Sequence, residues 1–157
     1  MKIHTLNYEC VLNTTQKSAC HFHTDTRNLP LITPPWIEVT IEEMEMPMRQ
    51  NSIVVLAIKR FGITTRWKME IETLLCPIKI VDSMISGPFH FFRHQRYFIP
   101  LTPDTTLMKE VISLVIPMGW VGNLFFPLLK KDMDAMFRYR HQKTQEYFLP
   151  KHSEKTS

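Results

Sequence analysis

SIVVLAIKRFGITTRWKMEIETL, residues 52–74, is the stretch on which the fold turns. Two apolar-rich runs flank Gly62, whose permissive backbone suits a tight turn. In the second run Trp67, Met69 and Ile71 share one parity, and Arg66, Lys68, Glu70 and Glu72 share the other. A period of two belongs to a strand with one dry and one wet face. The stretch predicts a hairpin in an antiparallel sheet.

Outward from it the pattern repeats. WIEVTIE (36–42) alternates, and IHTLNYECVL (3–12) opens the chain as a strand. Between them Thr14 or Thr15 can cap a short helix running to about His23. A second helical turn beginning at Asp25 or Thr26 must end before Pro34 and Pro35, each of which lacks a backbone donor. Downstream, strands are expected at 78–85, 89–98 and 106–116, with PLTPDT (100–105) as a turn. After Pro117 the period changes. From about Gly122 to Phe148, apolar residues recur three and four apart as Phe126, Leu129, Met133, Met136 or Phe137, and Tyr147. That spacing predicts one amphipathic helix of about 40 Å, with Pro127 in its first turns or at a break. Residues 1–148 then form a single domain, and the tail 149–157, with nothing to bury, is expected to fray.

The order is strand, two short helices, about six strands and one long helix. Successive strands joined by short turns make an antiparallel sheet rather than βαβ crossovers. The class is α+β, and the terminal helix is the element available to cover the dry face.

The chain has 157 residues, enough for one domain with a sizeable core. Ten Met and ten Phe make its apolar fraction bulky and deformable. The net charge of +4 reads as a solvated basic face and does not by itself specify an anionic partner. Cys10, Cys20 and Cys76 are odd in number and scattered, which argues against a disulfide framework and against a cysteine zinc site. The opening MKIHTLNYEC lacks the apolar core of a signal peptide, and no run approaches the ~18–20 apolar residues of a membrane span. The expectation is a soluble cytoplasmic protein without stable membrane insertion.

RNLPLITPPW (27–36), RWKMEIE (66–72), GPFHFFRHQRYF (87–98) and a closing helix with MFRYR (136–140) resemble the SRPBCC, or START-like, superfamily, in particular its bacterial single-domain ligand-binding proteins. The likeness runs in the same order over nearly the whole chain. His94 matches the pattern, while Phe92 and Arg96 stand where it often has Trp and His. The resemblance implies a helix-grip fold, in which a curved sheet of six to seven strands wraps the C-terminal helix around a deep, mostly apolar cavity. It implies binding of a hydrophobic small molecule or lipid-like ligand, with a polyketide cyclase or dehydratase-like enzyme as the alternative. An interaction module with a vestigial cavity is a third possibility.

Within the strand at 89–98, one parity carries His90, Phe92, His94, Arg96 and Phe98, and the other Phe89, Phe91, Arg93, Gln95 and Tyr97. Neither is purely apolar, so both orientations stay open. Facing inward, Phe92 and Phe98 supply apolar surface while His94 or Arg96 orients a polar ligand group. His90 and His94 lie roughly 13 Å apart on a strand and cannot share one metal ion. GPFHFF lacks the glycines and the βαββαβ order of an RNA-recognition module, so nucleic acid is not an expected partner. His94, Glu70, Glu72 and Tyr97 are able to do acid–base chemistry, but no nucleophile elbow, P-loop or dinucleotide fingerprint accompanies them. Glu70 and Glu72 share parity with Arg66 and Lys68 and read as a solvated, ion-paired face. The candidate ligand-binding residues are Trp36, Trp67, Met69, Phe92, His94, Arg96, Met133 and Phe137. No catalytic residue, metal or cofactor is assigned, and the chain is expected to be a monomer or weak homodimer.

Overall fold

A computed structural model describes residues 1–150. Strand β1 (His4–Leu12) leads through helix α1 (Gln16–Thr24) and a 3₁₀ helix (Thr26–Ile32) to β2 (Glu38–Met44). Then come β3 (Ile53–Arg60), β4 (Ile63–Leu75), β5 (Lys79–Ser86), β6 (Phe91–Thr102) and β7 (Thr105–Val115), followed by helices α2 (Gly119–Leu124) and α3 (Phe126–Tyr147). The strands form one seven-stranded sheet in the order β1-β7-β6-β5-β4-β3-β2, antiparallel throughout. β1 and β2 thus sit at opposite edges, and α1 with the 3₁₀ helix carries the chain between them. This is the α+β helix-grip architecture.

Local chemistry explains the boundaries. The β3–β4 hairpin turns on Phe61 and Gly62, both with positive φ (51° and 75°), the geometry of a two-residue turn matched to strand twist. The Thr15 side chain accepts the Ser18 N–H and so caps α1. Asp25 does the same for the 3₁₀ helix by accepting the Arg27 N–H. β6 begins two residues later than expected and extends to Thr102, because Pro103 and Asp104 alone suffice for the turn.

The terminal helix differs from the single element expected between 122 and 148. It is split at Phe125, and α3 spans 22 residues, or about 33 Å. Pro127 occupies its first turn, where its missing N–H would have had no helical partner. α2 packs closely upstream: a Cβ on Gly122 would stand 2.0 Å from the Pro117 carbonyl oxygen, leaving room only for hydrogen.

Two apolar clusters join sheet and helices. Leu6, Met69, Phe92, Ile112, Leu114, Met133 and Phe137 pack beneath α3. Leu12, Ala19, Cys20, Ile80, Phe98 and Met108 pack beneath α1. Cys20 forms a disulfide with Cys76 (Cα–Cα 5.8 Å), which overturns the expectation drawn from scattered cysteines. The two lie 56 residues apart, and only the packing of α1 on the β4–β5 turn makes them neighbours. Cys10 remains a free thiol. The pairing also removes the cysteine support for a cytoplasmic setting, since disulfides persist chiefly in oxidising compartments. Among the described residues no helix is long and apolar enough to cross a membrane. The tail expectation falls mainly on 151–157, outside the described residues.

Candidate functional site

Sheet parity builds the site. On β6 the inward side chains are Phe92, His94, Arg96 and Phe98, which are buried, while Phe91, Arg93, Gln95 and Tyr97 point away. Register places Asp82 of β5 opposite His94, and Glu110 of β7 opposite Arg96. On β4 the same face carries Trp67, Met69 and Ile71. From above, α3 presents Met133 and Phe137, one turn apart.

These elements and the 3₁₀ segment enclose a cavity of about 200 Å³. Most of its wall is apolar: Leu29, Ile32 and Ile37 on one side, Val54, Leu56 and Ile58 of β3, and Trp67, Met69, Phe92, Met133, Met136 and Phe137. Of the residues proposed from sequence, Trp67, Met69, Phe92, His94, Arg96, Met133 and Phe137 line it together. Trp36 does not. It is 50% exposed and packs edge-on against Tyr139 with ring centroids 5.7 Å apart.

One end of the cavity is polar. Glu110 is 2% exposed and lies between two imidazoles, accepting from His94 Nε2 at 2.9 Å and from His141 Nε2 at 2.5 Å. Burial alone would raise its pKa, but the hydrogen bonds from His141 and His94, with the charge of Arg140 behind them, hold it well below the usual carboxylate range. Glu110 is therefore an ionised carboxylate in the interior. Asp82 accepts from Arg96 at 2.8 Å, and His94 Nδ1 stands 3.9 Å from Asp82, too far to hydrogen-bond. Burial, reinforced by the neighbouring Arg96 charge, pulls the His23 pKa well below its ordinary value, so its ring is neutral.

At the other end Arg60, closing β3, forms an ion pair with Asp132 of α3. Glu72 pairs with Arg93 on the outer face at 2.7 Å, as its parity predicts. Among the described residues no group of three His, Cys, Asp or Glu is placed to hold a metal ion.

Sequence reasoning passed over Glu110, His141, Arg140, His23 and Asp82. The signal for Glu110 is its parity: it sits with Thr106, Met108, Ile112 and Leu114 on the apolar side of β7. A charge on a dry face must be paired. His141 lies one turn beyond Phe137 on the buried stripe of α3, where a polar residue needs a partner from the sheet.

No protein-family profile matches the sequence, and no curated protein sequence does. Solved structures do match in shape. The chain is similar to a START superfamily protein from Mycobacterium smegmatis, at 14% identity and a TM-score of 0.70 over 92% of this chain and 99% of the other. The Zhui aromatase/cyclase from Streptomyces sp. R1128 gives 14% identity and a TM-score of 0.73 over 93% of each chain. Major latex-like protein 151 from Panax ginseng gives 13% and 0.68 over 94% of this chain and 99% of the other. The class is thus that of the START-like helix-grip fold. At these identities the likeness speaks for the fold alone.

Proposed function

We propose that this protein binds a hydrophobic or lipid-like small molecule, as a monomer or weak homodimer, in the cavity between the sheet and α3. The carrying observation is the wall itself: a mostly apolar cavity between sheet and helix, with Asp82, His94, Arg96 and Arg140 at one end and Arg60 at the other. Apolar area withdrawn from water stabilises a complex by about 25 cal/mol per Å², and confined polar groups set orientation. At about 200 Å³ the space is below the ~300–1,000 Å³ of typical ligand pockets, which favours a compact ligand. Native mass spectrometry of the purified chain, set against extraction of the denatured chain, tests the reading. A single extra mass per chain is expected. A bare mass, together with no thermal response to fatty acids, sterols or aromatic polyketides, would sink it.

A second reading, a cyclase or dehydratase-like enzyme, draws on one observation: His94 lines the cavity with Glu110 ionised behind it, a pairing suited to proton transfer. Turnover of a linear polyketide substrate by the native chain, lost in His94→Phe with binding retained, would favour it.

A further inference from the structure

We propose that the end of the fold carrying the β3–β4 turn and α2 is a docking surface for a lipid bilayer that bears anionic headgroups. The chain rests on the bilayer and does not cross it, since no described helix is long and apolar enough to span one. Docking there is a property of the outer surface and is independent of what the cavity holds.

The antiparallel order decides which segments meet at this end. β3, β5 and β7 finish there, and β1, β4 and β6 begin there. α2 follows β7 and is fixed to the start of β1: His4 Nε2 shares a hydrogen bond with Asn123 Oδ1 at 2.7 Å, and the His4 ring stacks on Phe126 at 3.7 Å. The Arg60–Asp132 ion pair ties the hairpin turn to α3, one turn beyond Leu128. The side chains left pointing outward are large and apolar. Trp120, Leu124 and Leu128 recur four apart, Phe125 adjoins them, and Phe61 and Ile63 flank the hairpin turn; none is less than 63% exposed. Single exposed apolar residues are ordinary, whereas a gathering of this kind at one end of a domain marks a surface that is covered in use.

Charge selects what covers it. Residues 1–4, 59–64, 85–91 and 116–131, which form this end, contain no Asp or Glu, and they carry the cations Lys2, Lys59, Arg60, Lys130 and Lys131. Three of these face carboxylates from adjoining positions: Arg60 pairs with Asp132, Lys130 with Asp134 at 2.8 Å, and Lys59 stands 3.8 Å from Glu38. Lys2 and Lys131 are exposed and have no ion-pair partner among the described residues. The end thus keeps a small positive excess and no free carboxylate. Indole and phenyl rings settle at the headgroup level of a bilayer, and lysine stems lie along the apolar surface while their ammonium groups reach the phosphates. A second copy fits less well, because two such faces would bring like charge together with no free carboxylate on either.

Flotation of the full chain with vesicles tests the surface, using phosphatidylcholine alone and phosphatidylcholine mixed with phosphatidylglycerol. The native chain should float with the mixed vesicles and bind them about fivefold tighter than the neutral ones. The double substitution Trp120→Ser and Phe125→Ser should weaken binding to the mixed vesicles by about tenfold or more. Leu101→Ser, at an exposed position toward the opposite end of β6, should leave binding unchanged. Lys131→Glu should erase most of the preference for mixed vesicles and leave binding to neutral ones as it was. Failure of the native chain to float, no preference between the vesicles, native-like binding by the double variant, or an equal loss in Leu101→Ser would overturn the proposal. A chain that ignores vesicles but sediments as a dimer, and as a monomer once Trp120 and Phe125 are replaced, would give the face to a second copy instead. Should the double variant fail to fold, Lys131→Glu decides, and an undiminished preference for mixed vesicles in that variant would overturn the docking surface.

Discussion

Glu110 of β7 meets His141 of α3 at 2.5 Å while its other oxygen meets His94 of β6 at 2.9 Å, so one interior carboxylate joins two strands to the helix they hold. Met133 and Phe137 seat α3 on the sheet through apolar contact, which is non-directional. The imidazole–carboxylate–imidazole chain adds direction, fixing the helix's rotation above the cavity.

Glu110→Gln should therefore be costly. The amide turns one acceptor into a donor facing an imidazole, and breaking a buried pair in this way costs about 3–5 kcal/mol. Glu72→Gln, which breaks a partly exposed pair with Arg93, should cost at most about 1 kcal/mol. Urea unfolding of both variants gives the comparison, and equal losses would show that Glu110 is no structural pin. Because the native pKa of Glu110 is depressed, its contribution is present above the unfolded value of about 4.3. It is lost only as pH falls through the lower native value.

His23 works with the opposite sign. Folded, it resists protonation because burial and the Arg96 charge disfavour the imidazolium; unfolded, it accepts a proton near about pH 6.5. Below that pH the unfolded chain binds the extra proton and stability declines, with a limiting slope of about 1.4 kcal/mol per pH unit. His23→Phe should flatten this decline in urea midpoints measured at roughly pH 7 and pH 5. A slope unchanged from the native chain would assign it to other groups.

Phe137→Ala should lower stability by about 3–5 kcal/mol, since the ring is 1% exposed. Lys131→Ala, on the exposed side of α3, should change the melting midpoint little. Met133→Ala should cost less than Phe137→Ala and disturb ligand binding more, because Met133 borders open space. Similar small shifts for the Phe137 and Lys131 variants would mean that α3 does not cover the sheet.

The disulfide has a thiol-counting consequence. Without reductant the unfolded chain should show a single reactive thiol, Cys10, and with reductant three. In the folded protein Cys10 should react slowly, because burial, helped by the Glu110 charge, pushes its pKa up to about 12. The Cys20–Cys76 link spans 56 residues, for which the chain-entropy relation gives roughly 4 kcal/mol. Reduction should therefore lower the melting midpoint. Three thiols in the unreduced unfolded chain would contradict the link.

Much of the fold was legible in the sequence because its signals are local. Trp67, Met69 and Ile71 announce their face by alternation, Gly62 its turn, and Met133 and Phe137 their stripe. The histidine-rich strand was ambiguous because each parity of residues 89–98 mixes rings with cations, and the orientation comes from β5 and β7, its neighbours in the sheet. The polar end was harder still. Glu110, His141, Arg140 and His23 are contributed by a strand and two helices that meet only after folding. The Cys20–Cys76 pair has the same cause: spacing carries no information about residues brought together by packing.

The position of β2 at the sheet's rim governs how copies of this chain behave when crowded. A rim strand offers unpaired main-chain groups on which a foreign strand can add, the first step toward fibrils. Here that rim bears Glu38, Glu42 and Glu43 within seven residues, and its register slips between Ile41 and Glu43. An approaching copy meets three carboxylates, partly offset by Lys59 and Arg66 of the neighbouring strands, along a strand whose spacing is locally out of step, and the irregular, charged edge opposes its addition at this rim.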